Sequence, residues 1–318
     1  MEEKKGHIKE VDDFISSLRL GEPARFGNLT VFPLYSDYSK VDGYTLLEEA
    51  INTKKFIVTE INEAGRVPEL KVLNELDTDV LILDGEELVG AKQNRIVNTT
   101  IIIGRGKEVV IPVSCVEQGR WSYKSKNFKP SKSYLYAGLR SKKSKSVHES
   151  LMACCSYHSD QNEIWNDIRE KSMRFSVSSE TKSMNDIYKS YDKKIEEYEK
   201  TLQLHPEQVG FIALIDRKVV GSDIFGMRSV LPKVYNKILR GYILDALDRD
   251  KTDKHSVQPD KYVLAGVVKK FLERVKATKK NSFKSVGEGD DIRLESEHVN
   301  GFALVNKDEI VHLAAFAE

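Results

Sequence analysis

Between Gln93 and Trp121 the chain collects side chains of the kind that hold or transform small molecules: Gln93, Asn94, Arg95, Asn98, Cys115, Glu117, Arg120 and Trp121. Arg95 and Arg120 come first, because a guanidinium is a planar fork that grips carboxylate or phosphate through parallel hydrogen bonds. With the amides of Gln93, Asn94 and Asn98 nearby and Trp121 as an apolar wall, they suit an anionic small molecule or peptide. The competing reading is that they pair with Glu87, Glu108 or Glu117 and brace a sheet. Cys115 and Glu117 are the catalytic candidates. Positive charge stabilises a thiolate, yet a cysteine nucleophile also needs a base, and no histidine lies near Cys115 in sequence. The alternative for Cys115 is a buried structural thiol.

Two other chemistries find little support. Cys154, Cys155 and His158 are close in sequence, but no CxxC or HExxH string accompanies them and structural zinc takes four ligands, so no metal is expected. Gly287 and Gly289 do not make a dinucleotide fingerprint, no phosphate-binding P-loop occurs, and no cofactor is expected.

The stretch Asp79–Trp121, with the longest strand-like apolar runs, must position these groups. Val80–Leu83 and Glu87–Gly90 flank an Asp84-Gly85 turn suited to positive φ. Arg95–Ile103 and Val109–Ser114 flank Gly104 to Gly106, and short segments with turn signals between them predict an antiparallel sheet. The strings LILDGEELVGA, IALIDRKVVGS and FALVNKDEIVHL share an apolar run, an Asp or Asn turn and a second apolar run. Hairpins are therefore expected at 79–114, 209–224 and 300–316. Asn28–Leu34 and Phe56–Ile61 read as further strands, and Tyr44–Asn52 as a short helix.

Helices are expected where apolar residues recur at helical spacing. Ile8, Val11, Ile15 and Leu18 mark the first, and Asp160 with Glu163 forms a capping box for another. Met184, Tyr188, Tyr191, Ile195, Tyr198 and Leu202 make a seam for a partner helix within the chain. Further helices are predicted over 231–247 and 259–277, separated by a polar loop at 248–257. From Ser122 to His148, lysines, serines and aromatic residues alternate without an acid, which reads as a mobile basic surface loop. Its span 124–145 is a candidate for single-stranded nucleic acid, with lysines on phosphates and rings on bases.

Composition narrows the classes. A net charge of +1, with 40% hydrophobic and 31% charged residues, gives no general attraction to nucleic acid or anionic membrane. Three cysteines cannot all pair, which points to a reducing compartment. The N-terminal stretch lacks a signal-peptide core, and no run approaches the roughly 18 apolar residues that span a bilayer. A cytoplasmic protein without membrane contact is expected.

The strings GAKQNRIVNTT, IPVSCVEQGRW and GSDIFG, with the helix around Tyr242–Leu247, resemble a prokaryotic family called the ARPP domain, from about Phe26 to the C-terminus. The name is taken to record association with ATP-grasp and rhodanese/phosphatase-type proteins. The resemblance implies a setting in prokaryotic systems that modify peptides or act in biological conflict. Its motif positions fall here on Gly90, Lys92, Gln93, Asn94, Arg95, Asn98, Pro112, Ser114, Cys115, Glu117, Gly119, Arg120 and Trp121.

The resulting expectation is an α+β fold: a mainly antiparallel sheet or partly closed barrel built from β-hairpins and covered by amphipathic helices. It would be one domain over 1–318, with a basic loop at 122–148 and a helical insertion at 160–204. Its function would be that of a ligand- or peptide-binding module gripping an anionic ligand through Gln93, Asn94, Arg95, Asn98, Arg120 and Trp121. The alternatives are an enzyme acting on a phosphate-bearing or acyl small molecule through Cys115 or Glu117, and nucleic-acid binding through 124–145.

Overall fold

Alternation and turn chemistry account for most of the strands in the computed structural model, which describes residues 2–38, 44–249 and 261–318. From residue 250 on, the expected polar loop at 248–257 lies outside them. In chain order the elements begin with α1 (Glu2–Ser17), β1 (Arg19–Leu20), β2 (Ala24–Phe26), β3 (Leu29–Tyr35), β4 (Tyr44–Leu46), α2 (Leu47–Asn52), β5 (Phe56–Thr59) and β6 (Glu69–Asn74). The central stretch supplies β7 (Asp79–Ile82), β8 (Glu86–Gly90), β9 (Arg95–Val97), β10 (Ile101–Ile103) and β11 (Glu108–Cys115). There follow β12 (Phe128–Tyr134), α3 (Ala137–Cys154), α4 (Gln161–Arg174), α5 (Met184–Thr201), β13 (Gly210–Ile215) and β14 (Lys218–Phe225). The chain closes with α6 (Leu231–Arg249), α7 (Lys261–Lys276), β15 (Lys279–Lys284), β16 (Asp290–Glu295), β17 (Val299–Asn306) and β18 (Glu309–Ala317).

The fold is α+β with mainly antiparallel pairing, as expected, and it sorts into two compact units. One holds 1–42, 193–283 and 290–318; the other holds 43–192 and 284–289. Each is assembled from separate segments, so neither can be excised as one continuous piece.

The first unit is a nine-stranded sheet in the order β1-β3-β13-β14-β18-β17-β16-β15, with β2 also on β3. The hairpins β13–β14 and β17–β18 pair as predicted, on turns whose tips (Asp216 and Arg217, Lys307 and Asp308) all have positive φ. Phe14, Phe32, Leu214, Leu264, Phe271 and Leu313 are among the residues of the apolar core that α1 and α7 share with this sheet.

The second unit carries a six-stranded sheet, β12-β8-β9-β11-β6-β5, and a three-stranded one, β10-β7-β4. Here the local expectation needs correction. Asp84-Gly85 does form a turn, with Gly85 at φ +83°, but β7 and β8 do not pair. β7 joins β10 and β4, whereas β8 joins β12 and β9. Likewise β10 and β11 go to different sheets. The runs in β7, β8 and β10 are buried with little alternation, so neither the pattern nor the turn specifies the partner.

The stretch 122–148 is not a loop throughout: β12 and α3 occupy most of it. In β12 the lysines Lys129 and Lys132 face solvent while Phe128, Ser131, Ser133 and Tyr134 are buried. In α3 the buried face includes Arg140, Lys143, Ser144 and His148, which conceals the apolar stripe that identifies a packed helix. Asp84 accepts hydrogen bonds from both Lys143 and Arg140, all three at 1% exposure or less. Asp160 caps α4, accepting from the backbone N–H of Asn162 and Glu163, but the return half of the expected capping box is replaced: the Asp160 N–H donates to Ser146 Oγ.

Candidate functional site

One end of the six-stranded sheet places charge where its inward rows would otherwise be apolar. Side chains alternate across a strand, so Phe56 and Val58 of β5 point the same way as Glu60. Val97 shares a face with Arg95, and Val113 with Cys115. Phe56, Val58, Val97 and Val113 all belong to the apolar core of this unit, and in each row the next inward position is Glu60, Arg95 or Cys115. β5 and β11 both run antiparallel to β6, and β9 runs antiparallel to β11. The end of β5, the end of β11 and the start of β9 therefore lie on the same edge. Cys115 and Arg95 are direct cross-strand partners, which brings their Cβ atoms to about 5 Å.

Arg95 is fully buried, and its Nη1 donates to Gln93 Oε1 at 2.8 Å. The Cys115 sulfur lies against the guanidinium as a weak acceptor, and Nε and Nη2 have no well-formed hydrogen bond among the described residues. Burial pulls the Arg95 pKa below its ordinary value, against the opposing attraction of Cys115 and Glu60 and with the help of repulsion from Arg120. Glu60, at 6% exposure, accepts the Lys92 N–H through Oε1 at 3.3 Å, and its buried Oε2 has no partner among the described residues.

Cys115 is held by its backbone: Gln161 receives the Cys115 N–H at 2.7 Å and donates to the Cys115 carbonyl at 2.9 Å. Its sulfur accepts the Glu117 N–H at 3.4 Å and borders Trp165. Burial pushes the Cys115 pKa above its ordinary 9.0, and the charge of Arg95 does not offset it. The group is a thiol at neutral pH.

Arg120 sits close enough to repel Arg95 but is occupied differently. It donates to the carbonyls of Ala91 and Ser122 through Nη1, at 2.7 and 2.8 Å. Through Nη2 it meets Glu117 Oε2 at 2.6 Å, Asn94 Oδ1 at 3.2 Å and the Gly90 carbonyl at 3.2 Å. Glu117 also accepts the Asn94 N–H at 3.0 Å and faces Lys124 Nζ at 3.4 Å. Burial acts to raise the Glu117 pKa, but hydrogen bonds from Arg120, the Asn94 backbone and Thr181, with the charge of Arg120, hold it below its ordinary 4.5. Asn94, Glu117 and Arg120 thus fix the conformation of the loop at 90–94. Gly119 fits because its backbone meets that of Thr181, where a Cβ would lie 2.9 Å from the Thr181 Cα.

Trp121 and Tyr123 form a cover, 46% and 52% exposed. Lys92 lies 5.2 Å from the centroid of each ring and donates to the Ala64 carbonyl at 2.7 Å, while the Arg95 guanidinium lies 5.6 Å from the Trp121 ring. Asn98 works elsewhere, accepting from Ser114 Oγ at 2.7 Å and donating to the Tyr157 carbonyl at 2.9 Å.

Of the residues singled out in the sequence, the structure brings Gln93, Asn94, Arg95, Cys115, Glu117, Arg120 and Trp121 together and leaves Asn98 apart. Sequence reasoning missed Glu60, Gln161 and Trp165, and it did not assign Lys92 to the site. Glu60 carried a signal: a carboxylate on the inward face of a strand, two residues after Val58. Two surface cavities are lined by none of Glu60, Arg95, Cys115 or Trp121. One of about 460 Å³ runs along the start of α4, and one of about 560 Å³ in the other unit lies beside the start of α7. No helix among the described residues is long and apolar enough to cross a membrane.

A family model described as the ARG and Rhodanese-Phosphatase-superfamily-associated Protein domain, ARPP-1, matches residues 17–316. Its description names ARG, and not ATP-grasp proteins, beside the rhodanese-phosphatase superfamily. No curated protein and no solved structure matches the chain.

Proposed function

The chain belongs to the ARPP-1 family, and on that premise we propose that it is a binding module that grips an anionic small molecule or peptide through Arg95. One observation carries the reading: a fully buried guanidinium with two nitrogens that lack hydrogen-bond partners among the described residues. An unpaired buried charge costs several kcal/mol, and such a group calls for an explanation, of which a bound ion or ligand is one. Gln93 orients the guanidinium, the Asn94–Glu117–Arg120 network holds the loop, and Trp121 with Tyr123 forms the cover a ligand displaces. Asn98 supports the sheet at a distance. The module would serve a prokaryotic peptide-modification or defence system in the cytoplasm, in keeping with three unpaired cysteines. The test is native mass spectrometry of the full chain taken from cell extract. Wild type is expected to carry a bound anion that Arg95→Ala has lost, with the circular dichroism of the two proteins unchanged. Equal occupancy in both overturns the reading.

A second reading, an enzyme acting on a phosphate-bearing or acyl substrate, draws on the Cys115 sulfur beside Arg95, a cation able to stabilise developing negative charge. It predicts hydrolysis of p-nitrophenyl acetate or p-nitrophenyl phosphate that Cys115→Ser or Glu117→Gln abolishes. Turnover unchanged in both variants discards it. For nucleic-acid binding over 124–145, Lys124, Lys126, Lys129, Lys132 and Lys145 are exposed, whereas Arg140 and Lys143 are buried and Lys142 is engaged by Asp167.

A further inference from the structure

The cover, the anion site and the carboxylate of Glu60 together say more about the ligand than its charge. Two buried groups of opposite sign near Trp121 carry atoms without a hydrogen-bond partner among the described residues: Nε and Nη2 of Arg95, and Oε2 of Glu60. Their charges act on each other, yet they form no ion pair within 4.0 Å. The neighbouring polar groups are already engaged. Lys92 is on the Ala64 carbonyl, Gln93 bridges Arg95 and the Glu117 carbonyl, and Arg120 is on its loop. Gly65 lies beside them at φ +74°, where a Cβ would be 3.1 Å from Lys92 Cδ, 3.3 Å from the Trp121 ring and 3.4 Å from Glu60 Oε2. A side chain there would be strained by the positive φ and would press on Lys92 and the Trp121 ring, and glycine leaves the carboxylate and the ring edge adjoining.

A simple anion on Arg95 would be repelled by Glu60 and would leave its Oε2 without a donor. A molecule with an ammonium beside its carboxylate satisfies both groups at once. Resting on the reading of Arg95 as an anion site, we propose that the ligand is a free α-amino acid or a close zwitterionic analogue, with its carboxylate on Arg95, its ammonium on Glu60 and its side chain toward Trp121. A peptide interior lacks both charges, and a peptide terminus carries only one of them.

The experiment is isothermal titration of the full-length chain with each of the twenty common α-amino acids and with the matching carboxylates that lack the amino group, such as propionate for alanine and succinate for aspartate. At least one amino acid is expected to bind, and at least tenfold tighter than its des-amino partner. Glu60→Gln should erase that preference, and Arg95→Met should abolish binding of both. Des-amino acids that bind as tightly as amino acids, and depend on Arg95, overturn the zwitterion while leaving the anion site standing. Glu60→Gln with the preference intact does the same. A site that takes no probe at millimolar concentration in an Arg95-dependent way, holding water alone, overturns both. The wild-type comparison needs no variant, so a misfolded Glu60→Gln protein does not spoil it.

Discussion

Replacing Arg95 by methionine separates a binding group from a brace. The side chain is buried, and two of its nitrogens lack hydrogen-bond partners among the described residues. Leaving a buried donor unsatisfied costs about 1–3 kcal/mol each, so the two together cost about 2–6 kcal/mol. Against this stand one charged hydrogen bond to Gln93, worth about 1.5–3 kcal/mol, and the Trp121 ring contact, worth about 0.5–2 kcal/mol. The terms nearly cancel, and methionine fills similar apolar volume. Arg95→Met is therefore expected to change the stability of ligand-free protein by less than about 2 kcal/mol, or about 4 °C in Tm. A fully paired buried arginine would instead cost about 3–5 kcal/mol on removal. The assay is thermal and urea unfolding of both proteins after ligand is removed by dialysis from denaturant and refolding. Ligand at a hundred times Kd should stabilise wild type by about 2.7 kcal/mol and the variant not at all. A loss above about 3 kcal/mol in ligand-free Arg95→Met would refute the reasoning, because Arg95 would then be holding the sheet.

Three other outcomes follow from the geometry. The folded Glu117 pKa is depressed, so its contribution is fully present above pH 4.5 and is lost as pH falls through the lower folded value; the stability gap between wild type and Glu117→Gln should shrink on acidification, and a gap that widens contradicts the network. Cys115, buried and held as a thiol, should react with iodoacetamide at neutral pH at least tenfold more slowly than the exposed Cys154 and Cys155, as read by peptide mass spectrometry; equal rates would contradict its burial. Asp84→Ala removes the carboxylate that Lys143 and Arg140 share and should destabilise by about 3–5 kcal/mol in urea unfolding, with a loss below 1 kcal/mol counting against that ion cluster.

Much of the fold was legible where alternation coincided with turn chemistry. β13–β14 and β17–β18 announce themselves through apolar runs on either side of Asp216-Arg217 and Lys307-Asp308, each with an aspartate suited to positive φ in a tight turn. β7 and β8 show the limit of that logic. The Asp84-Gly85 turn was read correctly, but a turn does not dictate pairing when both flanking strands are buried and can find better partners elsewhere. α3 escaped detection for the opposite reason, because Arg140 and Lys143 occupy core positions that are ordinarily apolar. In the site, the cross-strand meeting of Arg95 and Cys115 depends on the β9–β11 register, which local sequence does not encode. Glu60 was within reach, since the Phe56, Val58, Glu60 alternation carries a carboxylate onto an inward row. Arg120 was overread: its fork suits an external anion, yet backbone carbonyls of its own loop and Glu117 take it up.

The proposed site depends on an Arg95 held open for an anion. Native mass spectrometry of the full-length protein from cell extract tests it most directly, comparing wild type with Arg95→Ala under gentle desolvation. Wild type should carry an added mass that tandem dissociation releases as a carboxylate- or phosphate-bearing small molecule or peptide, and the variant none. Bare protein in both, or the same adduct on both, would contradict it.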